Sequence, residues 1–226
     1  MILKFKKNSS KCCLIIILFF CVFKSETVFA FREPIIRVLI SKNNNLRIRS
    51  DRSIPLTIEG EFFSSKKIKG LTFKNEKNKK ILYFDKNKQK KYDLKSNQKF
   101  QVSSTDGRGI WVGQKRFAGK LNLFVLDSEI LVVNVLGIEK YLNSVVGSEM
   151  PTKWPIEALK AQAIASRTYA LKQKGNNLFD IDSTQKNQVY NGLESKTYKT
   201  IRAVKSTRSL VLTLSLIHIS EPTRPY

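Results

Sequence analysis

Residues 138–172 read IEKYLNSVVGSEMPTKWPIEALKAQAIASRTYALK, and the fold turns on how this run divides. Residues 138–146 place apolar side chains at helical spacing, and Gly147 is expected to end that helix. Ser148-Glu149-Met150-Pro151 then reads as a break, because the residue before a proline is pushed out of the α region. A second helix is expected over 155–172. Pro155 stands at its first position, Glu157 lies in its first turn, five alanines recur along it, and Gly175 follows it. At about 100° per residue, Leu159, Ala163 and Ala170 share one side of this helix, with Ala158, Ala161 and Ala165 roughly opposite. Small or apolar residues on both sides predict a helix enclosed by neighbours. Two polar stripes run along it, Lys160 with Arg167, and Gln162 with Ser166 and Tyr169. On an enclosed helix such groups are either paired or face a cleft, and spacing alone favours neither.

Upstream, short apolar runs alternate with turn formers. Strands are expected at 35–40, 56–59, 71–74, 81–85 and 100–103, followed by a turn at Asp106-Gly107-Arg108-Gly109. Residues 117–126 and 130–136, split by Asp127-Ser128-Glu129, read as a hairpin, and 210–213 as a last strand. The expected class is α+β: a β-rich basic region over 31–135, then a core over 136–213 with a buried alanine-rich helix and further strands.

The 226 residues carry 41 Lys+Arg against 18 Asp+Glu, a formal net charge of +23, with 42% hydrophobic residues. That apolar content is enough for a core and argues against wholesale disorder. Cys12, Cys13 and Cys21 all lie near the N-terminus and the one histidine is His218, so thiolate or imidazole chemistry is excluded from the body of the chain. Between Lys66 and Lys99 stand thirteen lysines and three acids. An exported surface of this kind is drawn to polyanions. The plainer reading, a solvated face in a lysine- and asparagine-rich composition, is preferred. The lysine-rich loops are expected to be the least ordered part.

Residues 1–30 read as an export signal: Lys4, Lys6, Lys7 and Lys11, an apolar run of twelve from Cys12, then Val28-Phe29-Ala30. Twelve residues span only about 18 Å of helix, short of a bilayer core, so a cleaved signal is preferred to a membrane anchor. The expected location is outside the cytoplasmic membrane, in the periplasm or wall, with membrane contact only through this segment. Residues 214–226 resemble a translated sequencing-adapter peptide and are set aside from the fold. The fold is therefore expected to be truncated at its C-terminal end.

The run from Tyr141 to Pro151 and from Trp154 to Ala170 resembles the signature of the sporulation stage II protein D family, the SpoIID/LytB domain. Phe179-Asp180-Ile181-Asp182-Ser183-Thr184 through Gln188-Val189-Tyr190-Asn191-Gly192 is similar to its downstream motif, and 34–40 and 117–121 are weaker echoes. The resemblance implies a cell-wall protein. Members include lytic transglycosylases that cut the β-1,4 bond between N-acetylmuramic acid and N-acetylglucosamine, and others described as enhancers of wall amidases. It makes Glu149, the glutamate of the Glu-Met-Pro motif, the catalytic acid.

Hydrolysis of a glycoside normally takes two carboxylates. A lytic transglycosylase works with one, because the sugar's own 6-hydroxyl is the nucleophile, and no histidine, metal or cofactor is needed. Acting as an acid at neutral pH calls for a dry setting, expected beside Met150, Pro151 and Trp154. Lys160, Gln162, Arg167 and Tyr169 match family positions and are expected to face the glycan, an Arg fork suiting the lactyl carboxylate. Gln188 and Tyr190 are expected to complete the groove, Tyr190 as a stacking face for a sugar. The structural alternative for Arg167 is an ion pair with Glu149 or Glu157, and Trp154 is expected as a core anchor. Some members bind zinc in the Asp-Thr block, but 180–188 holds neither cysteine nor histidine, so no metal is expected. An EF-hand begun at Asp180 would put Gln185 where glycine belongs and Asn191 where glutamate belongs. Expected partners are peptidoglycan strands and a wall amidase. Nucleic acid is not expected.

Overall fold

The structure is a computed structural model that describes residues 33–213, apart from 52–53, 61–62, 77–78, 85–86, 128 and 174. The expected signal segment and the adapter-like tail lie outside the described residues. The described residues form one compact unit, with mixed α and β structure as expected.

Among the described residues, thirteen strands make two sheets. The first holds, in spatial order, β13 (Ile181–Asp182), β1 (Ile35–Asn43), β12 (Ile130–Gly137), β11 (Lys120–Val125), β8 (Lys99–Ser103), β3 (Leu56–Gly60) and β4 (Phe63–Ile68). The second holds β10 (Lys115–Phe117), β9 (Ile110–Val112), β2 (Leu46–Arg49), β5 (Gly70–Glu76), β6 (Lys79–Phe84) and β7 (Asn87–Leu94). Neighbours are antiparallel except β1 and β13, which pair in parallel through Val38 with Ile181 and Leu39 with Asp182. Ile48, Leu71, Phe73 and Leu82 of the second sheet share one core with Val38, Ile58, Val102, Leu121 and Val132 of the first. β12 is apolar on both faces because both are covered. Ile130, Val132 and Leu136 join that core, while Leu131 and Val133 join Leu39 under Leu178 and Phe179.

In the lysine-rich stretch the strands expected at 71–74 and 81–85 form within β5 and β6, while β4 and β7 were not expected; Leu71 with Phe73, and Leu82 with Phe84, alternate inward. A period of two survives high charge when each lysine stands on the solvent face. The 117–126 run also divides. Phe117 ends β10, and Gly119, at φ +82°, turns the chain before β11 begins. A side chain there would strike the Val135 carbonyl.

Helix α1 (Ile138–Glu149) leaves β12 directly and buries Ile138, Tyr141, Leu142, Val145 and Val146 along one stripe. Gly137 supplies no capping side chain, and Glu33 takes that role by accepting the Glu139 N–H at 2.7 Å. The helix runs two residues past Gly147, so this glycine is not a terminator. Its missing Cβ admits the Ser195 carbonyl, with which an added carbon would collide. Helix α2 (Ile156–Lys172) buries Leu159, Ala163, Ser166, Arg167 and Ala170. The expected enclosure on both sides is wrong. Ala161 and Ala165 are exposed, because no described element lies over them.

Helix α3 (Tyr198–Ser206) was not expected. Its capping box joins Thr197 and Thr200, and it packs on both earlier helices. Residues 210–213 form no strand; Arg167 and Thr168 hold them through the Leu210 carbonyl and the Leu212 N–H. Of the further strands expected after the helices, only the two-residue β13 forms. Among the described residues no helix is long and apolar enough to cross a membrane.

Candidate functional site

Glu149 is the last residue of α1, where Met150 turns extended ahead of Pro151. Its side chain is exposed, and Oε1 accepts the backbone N–H of Val189. The dry pocket expected around it is absent from the protein itself. Pro151 is exposed and Trp154 is 45% exposed, so Trp154 is a surface residue, not a core anchor. Pro151 and Pro155 keep that connection off the helix ends, which leaves its apolar side chains turned outward.

What does lie beside Glu149 is the loop of residues 183–191, and it is held at several points. Asp182 accepts from the Thr184 N–H at 3.0 Å and from its hydroxyl. Burial alone would raise the Asp182 pKa. Thr184 and Asn187 hydrogen bonds, with the charge of Lys42, prevail and hold it below the ordinary value. The Tyr169 hydroxyl donates to Asn187 at 2.9 Å, and the Asn191 N–H reaches the Ser148 hydroxyl at 3.2 Å. Ser148 donates in turn to the Ser144 carbonyl at 2.9 Å or to Ser195 at 2.8 Å.

Beneath the loop, Tyr141 donates its fully buried hydroxyl to Gln188 Oε1 at 3.2 Å, and Gln188 passes a weak 3.4 Å bond to the Ser166 carbonyl. Burial, followed by the proximity of Tyr190, Glu149, Tyr169 and Asp182, pushes the Tyr141 phenol far above its ordinary pKa. It therefore stays protonated and acts as a fixed donor. Gln188 was expected to line the groove. It is buried, and supports the groove floor instead.

The two polar stripes of α2 separate. Gln162 donates to Ser166 at 3.1 Å and, with Tyr169, lies on the side of the loop. Lys160 pairs with exposed Glu157 at 2.9 Å. Arg167, expected as a substrate group, is 1% exposed and grips Glu139 with two bonds of 2.8 Å, reaching the Leu210 carbonyl at 3.0 Å. The ion pair is thus with Glu139 of α1, neither Glu149 nor Glu157. Glu139 lies ten residues upstream, a span of about 15 Å along the helix. Tyr190 is not a sugar platform. It is 2% exposed, its ring packs on Phe117 and Tyr141, and its hydroxyl donates to Asn134 at 2.8 Å.

The loop-supporting residues Tyr141, Ser148, Asn187 and Ser195 escaped sequence reading. Tyr141 sits at a core position of an apolar stripe, 47 residues from Gln188; Ser148 and Ser195 are likewise 47 apart, and Asn187 is 18 from Tyr169. A zinc centre does not fit the 180–188 stretch. Its carboxylates are committed, Asp180 to Arg37 at 2.6 Å and Asp182 to Thr184, and among the described residues no three of His, Cys, Asp and Glu converge. One carboxylate beside a loop edge of backbone N–H groups and amides can bind a hydroxylated ligand and exchange one proton with it.

Residues 126–214 match the SpoIID family, described as Stage II sporulation protein. The chain is 45% identical over 96 residues to an uncharacterised protein of Brachyspira hyodysenteriae, covering 41% of this chain and 26% of that protein. It is 42% identical over 71 residues to the Amidase enhancer of Bacillus subtilis (31% of this chain, 10% of that protein). It is 35% identical over 99 residues to the Stage II sporulation protein D of the same organism (36% and 29%). The matched part thus spans under a third of each of these relatives. No solved structure matches. The match takes in α1, the Glu149 turn, α2 and the loop that Glu149 holds, so the similarity to the SpoIID family lies in residues 126–214.

Proposed function

We propose that this is an exported peptidoglycan-acting protein, and that Glu149 carries a lytic transglycosylase reaction. The observation that carries the reading is the placement of Glu149: the last residue of α1, open to solvent, tied to the loop edge at Val189. A carboxyl so placed is reachable by a long polymer that no enclosed pocket would admit. The glycan itself would then exclude water from the carboxyl once seated.

In the reaction, protonated Glu149 gives its proton to the oxygen bridging N-acetylmuramic acid and N-acetylglucosamine, and the bond from C1 to that oxygen breaks. The carboxylate then takes the proton of the 6-hydroxyl as O6 bonds to C1. A 1,6-anhydro ring forms, Glu149 is reprotonated and no water is consumed. The tethered nucleophile supplies proximity that a second carboxylate would otherwise provide. Gln162 and Tyr169 flank the strand, and Lys160 lies farther along the same helix. Resemblance to the family supports this reading, as does a residue inventory without histidine in the described chain.

The second reading is a wall-binding partner that stimulates an amidase. It is favoured by likeness to the protein named Amidase enhancer. Incubating the full chain with peptide-free glycan and examining the ends by mass spectrometry separates the two. The enzyme reading expects 1,6-anhydro ends from the wild type and none from Glu149→Gln. Absence of such ends, with amidase stimulation intact in Glu149→Gln, selects the second.

A further inference from the structure

A cleft of about 550 Å³ lies on the other side of α1, among the loop after β8, the Gly119 turn, the 3-10 turn Gly192–Ser195 and α3. Lys140 and Asn143 reach it from α1. Glu149 is about 180° around the helix from Lys140 and about 13 Å farther along, so this is a separate place. Three lysines line it, Lys120, Lys140 and Lys196. Its single acidic residue, Asp106, is engaged by Arg108 at 2.6 Å, and the neighbouring Glu194 by Arg116 at 2.8 Å. Among the described residues no carboxylate pairs with these three ammonium groups, and Lys120 donates to the neutral Gln101 at 3.3 Å, which favours an anion.

Two further features narrow the ligand. There is no arginine in the lining, whose planar fork suits carboxylates; compact ammonium groups beside the hydroxyls of Ser103 and Thr105 suit a tetrahedral, many-oxygen anion. In the same wall, Asn143 Oδ1 is buried with no hydrogen-bond partner, an acceptor that a ligand hydroxyl would satisfy. We propose that this cleft binds a phosphodiester-linked polyol chain, its phosphates on Lys120, Lys140 and Lys196 and a hydroxyl on Asn143. It does not rest on any reaction at Glu149. It would hold the protein on an anionic wall polymer while the opposite face of α1 engages glycan.

The test is equilibrium binding of the full chain to a glycerol-phosphate oligomer across a salt series. Lys140→Glu/Lys196→Glu is expected to weaken binding about a hundredfold, roughly tenfold per charge-assisted contact. Lys67→Glu/Lys95→Glu makes the same charge change on exposed residues elsewhere and is expected to cost less than about threefold. Gly107→Glu, whose added Cβ would meet no atom within 4 Å, should fold normally and block the cleft. Equal losses in the two double variants would overturn the proposal in favour of diffuse attraction. Equally tight binding of polyglutamate with matched charge would overturn the phosphate preference. Glu149→Gln is expected to leave this binding unchanged, which separates its failure from that of the glycosidase reading.

Discussion

Replacing Arg167 by leucine removes the one guanidinium that joins α1, α2 and residue 210. The lost contacts are two 2.8 Å bonds to Glu139 and one of 3.0 Å to the Leu210 carbonyl. The Glu139 carboxylate, whose side chain is only 16% exposed, is left without its partner. Breaking a buried pair from one side costs about 3–5 kcal/mol, more than the pair itself is worth, because the survivor's charge stays desolvated. For a domain of this size each kcal/mol lowers Tm by roughly 2–4 °C, so a drop of about 6–20 °C is expected. Thermal unfolding followed by tryptophan fluorescence measures the Tm drop, and urea unfolding the free-energy loss. Glu139→Leu together with Arg167→Leu should recover part of the loss, giving a favourable coupling in the double-mutant cycle. A loss under about 1 kcal/mol for Arg167→Leu, or no coupling with Glu139, refutes the reasoning. So does Arg167→Lys that keeps its stability and loses glycan binding, since that outcome puts the guanidinium on the substrate.

Glu149→Gln keeps an acceptor for Val189, so stability should change by less than about 0.5 kcal/mol while anhydro-end formation falls by roughly a hundredfold or more. Gly147→Ala adds helix propensity worth about 0.5–1 kcal/mol but drives a carbon into the Ser195 carbonyl; a net destabilisation of about 1–3 kcal/mol is expected in chemical denaturation. Tyr190→Phe orphans Asn134 Oδ1 and should cost about 1–3 kcal/mol, with glycan affinity unchanged by calorimetry. Burial raises the phenol pKa of Tyr190 and of Tyr141 above 10, so folded protein keeps protons that unfolded chain releases. Their contribution to stability is full below pH 10 and is lost as pH climbs beyond it; absorbance at 295 nm should show two phenols that ionise only with unfolding.

Helices α1 and α2 and most of the first sheet were legible because their signals are local. Apolar spacing in 138–146 and the Pro155–Glu157 start of α2 belong to single elements. Gly147 misled because its reason is a neighbour, the Ser195 carbonyl, not its own backbone. In the Lys66–Lys99 stretch β5 and β6 were legible, whereas β4 and β7 were missed because their charge masks the strand signal. At the site, Glu149 and Tyr169 were singled out through family resemblance, whereas the observed contacts of Arg167, Gln188 and Tyr190 are with partners 28, 47 and 56 positions away. No residue-by-residue pattern encodes such pairings.

The short parallel ladder between β1 and β13 has a kinetic corollary. It joins positions 143 apart, and the Asp180 and Ser183 amides reach across it to Arg37 and Leu39. Closing so long a stretch of unstructured chain costs roughly 4 kcal/mol of entropy for very few bonds. The hairpin-linked strands gain theirs from near neighbours, so they fold first and the 180–191 segment docks last. In native-state deuterium exchange those amides, including Val189, should open well below the energy of global unfolding. The scaffold would then stay intact while the lip that steadies Glu149 unlatches and recloses, giving a wall polymer threaded past it a way in and out.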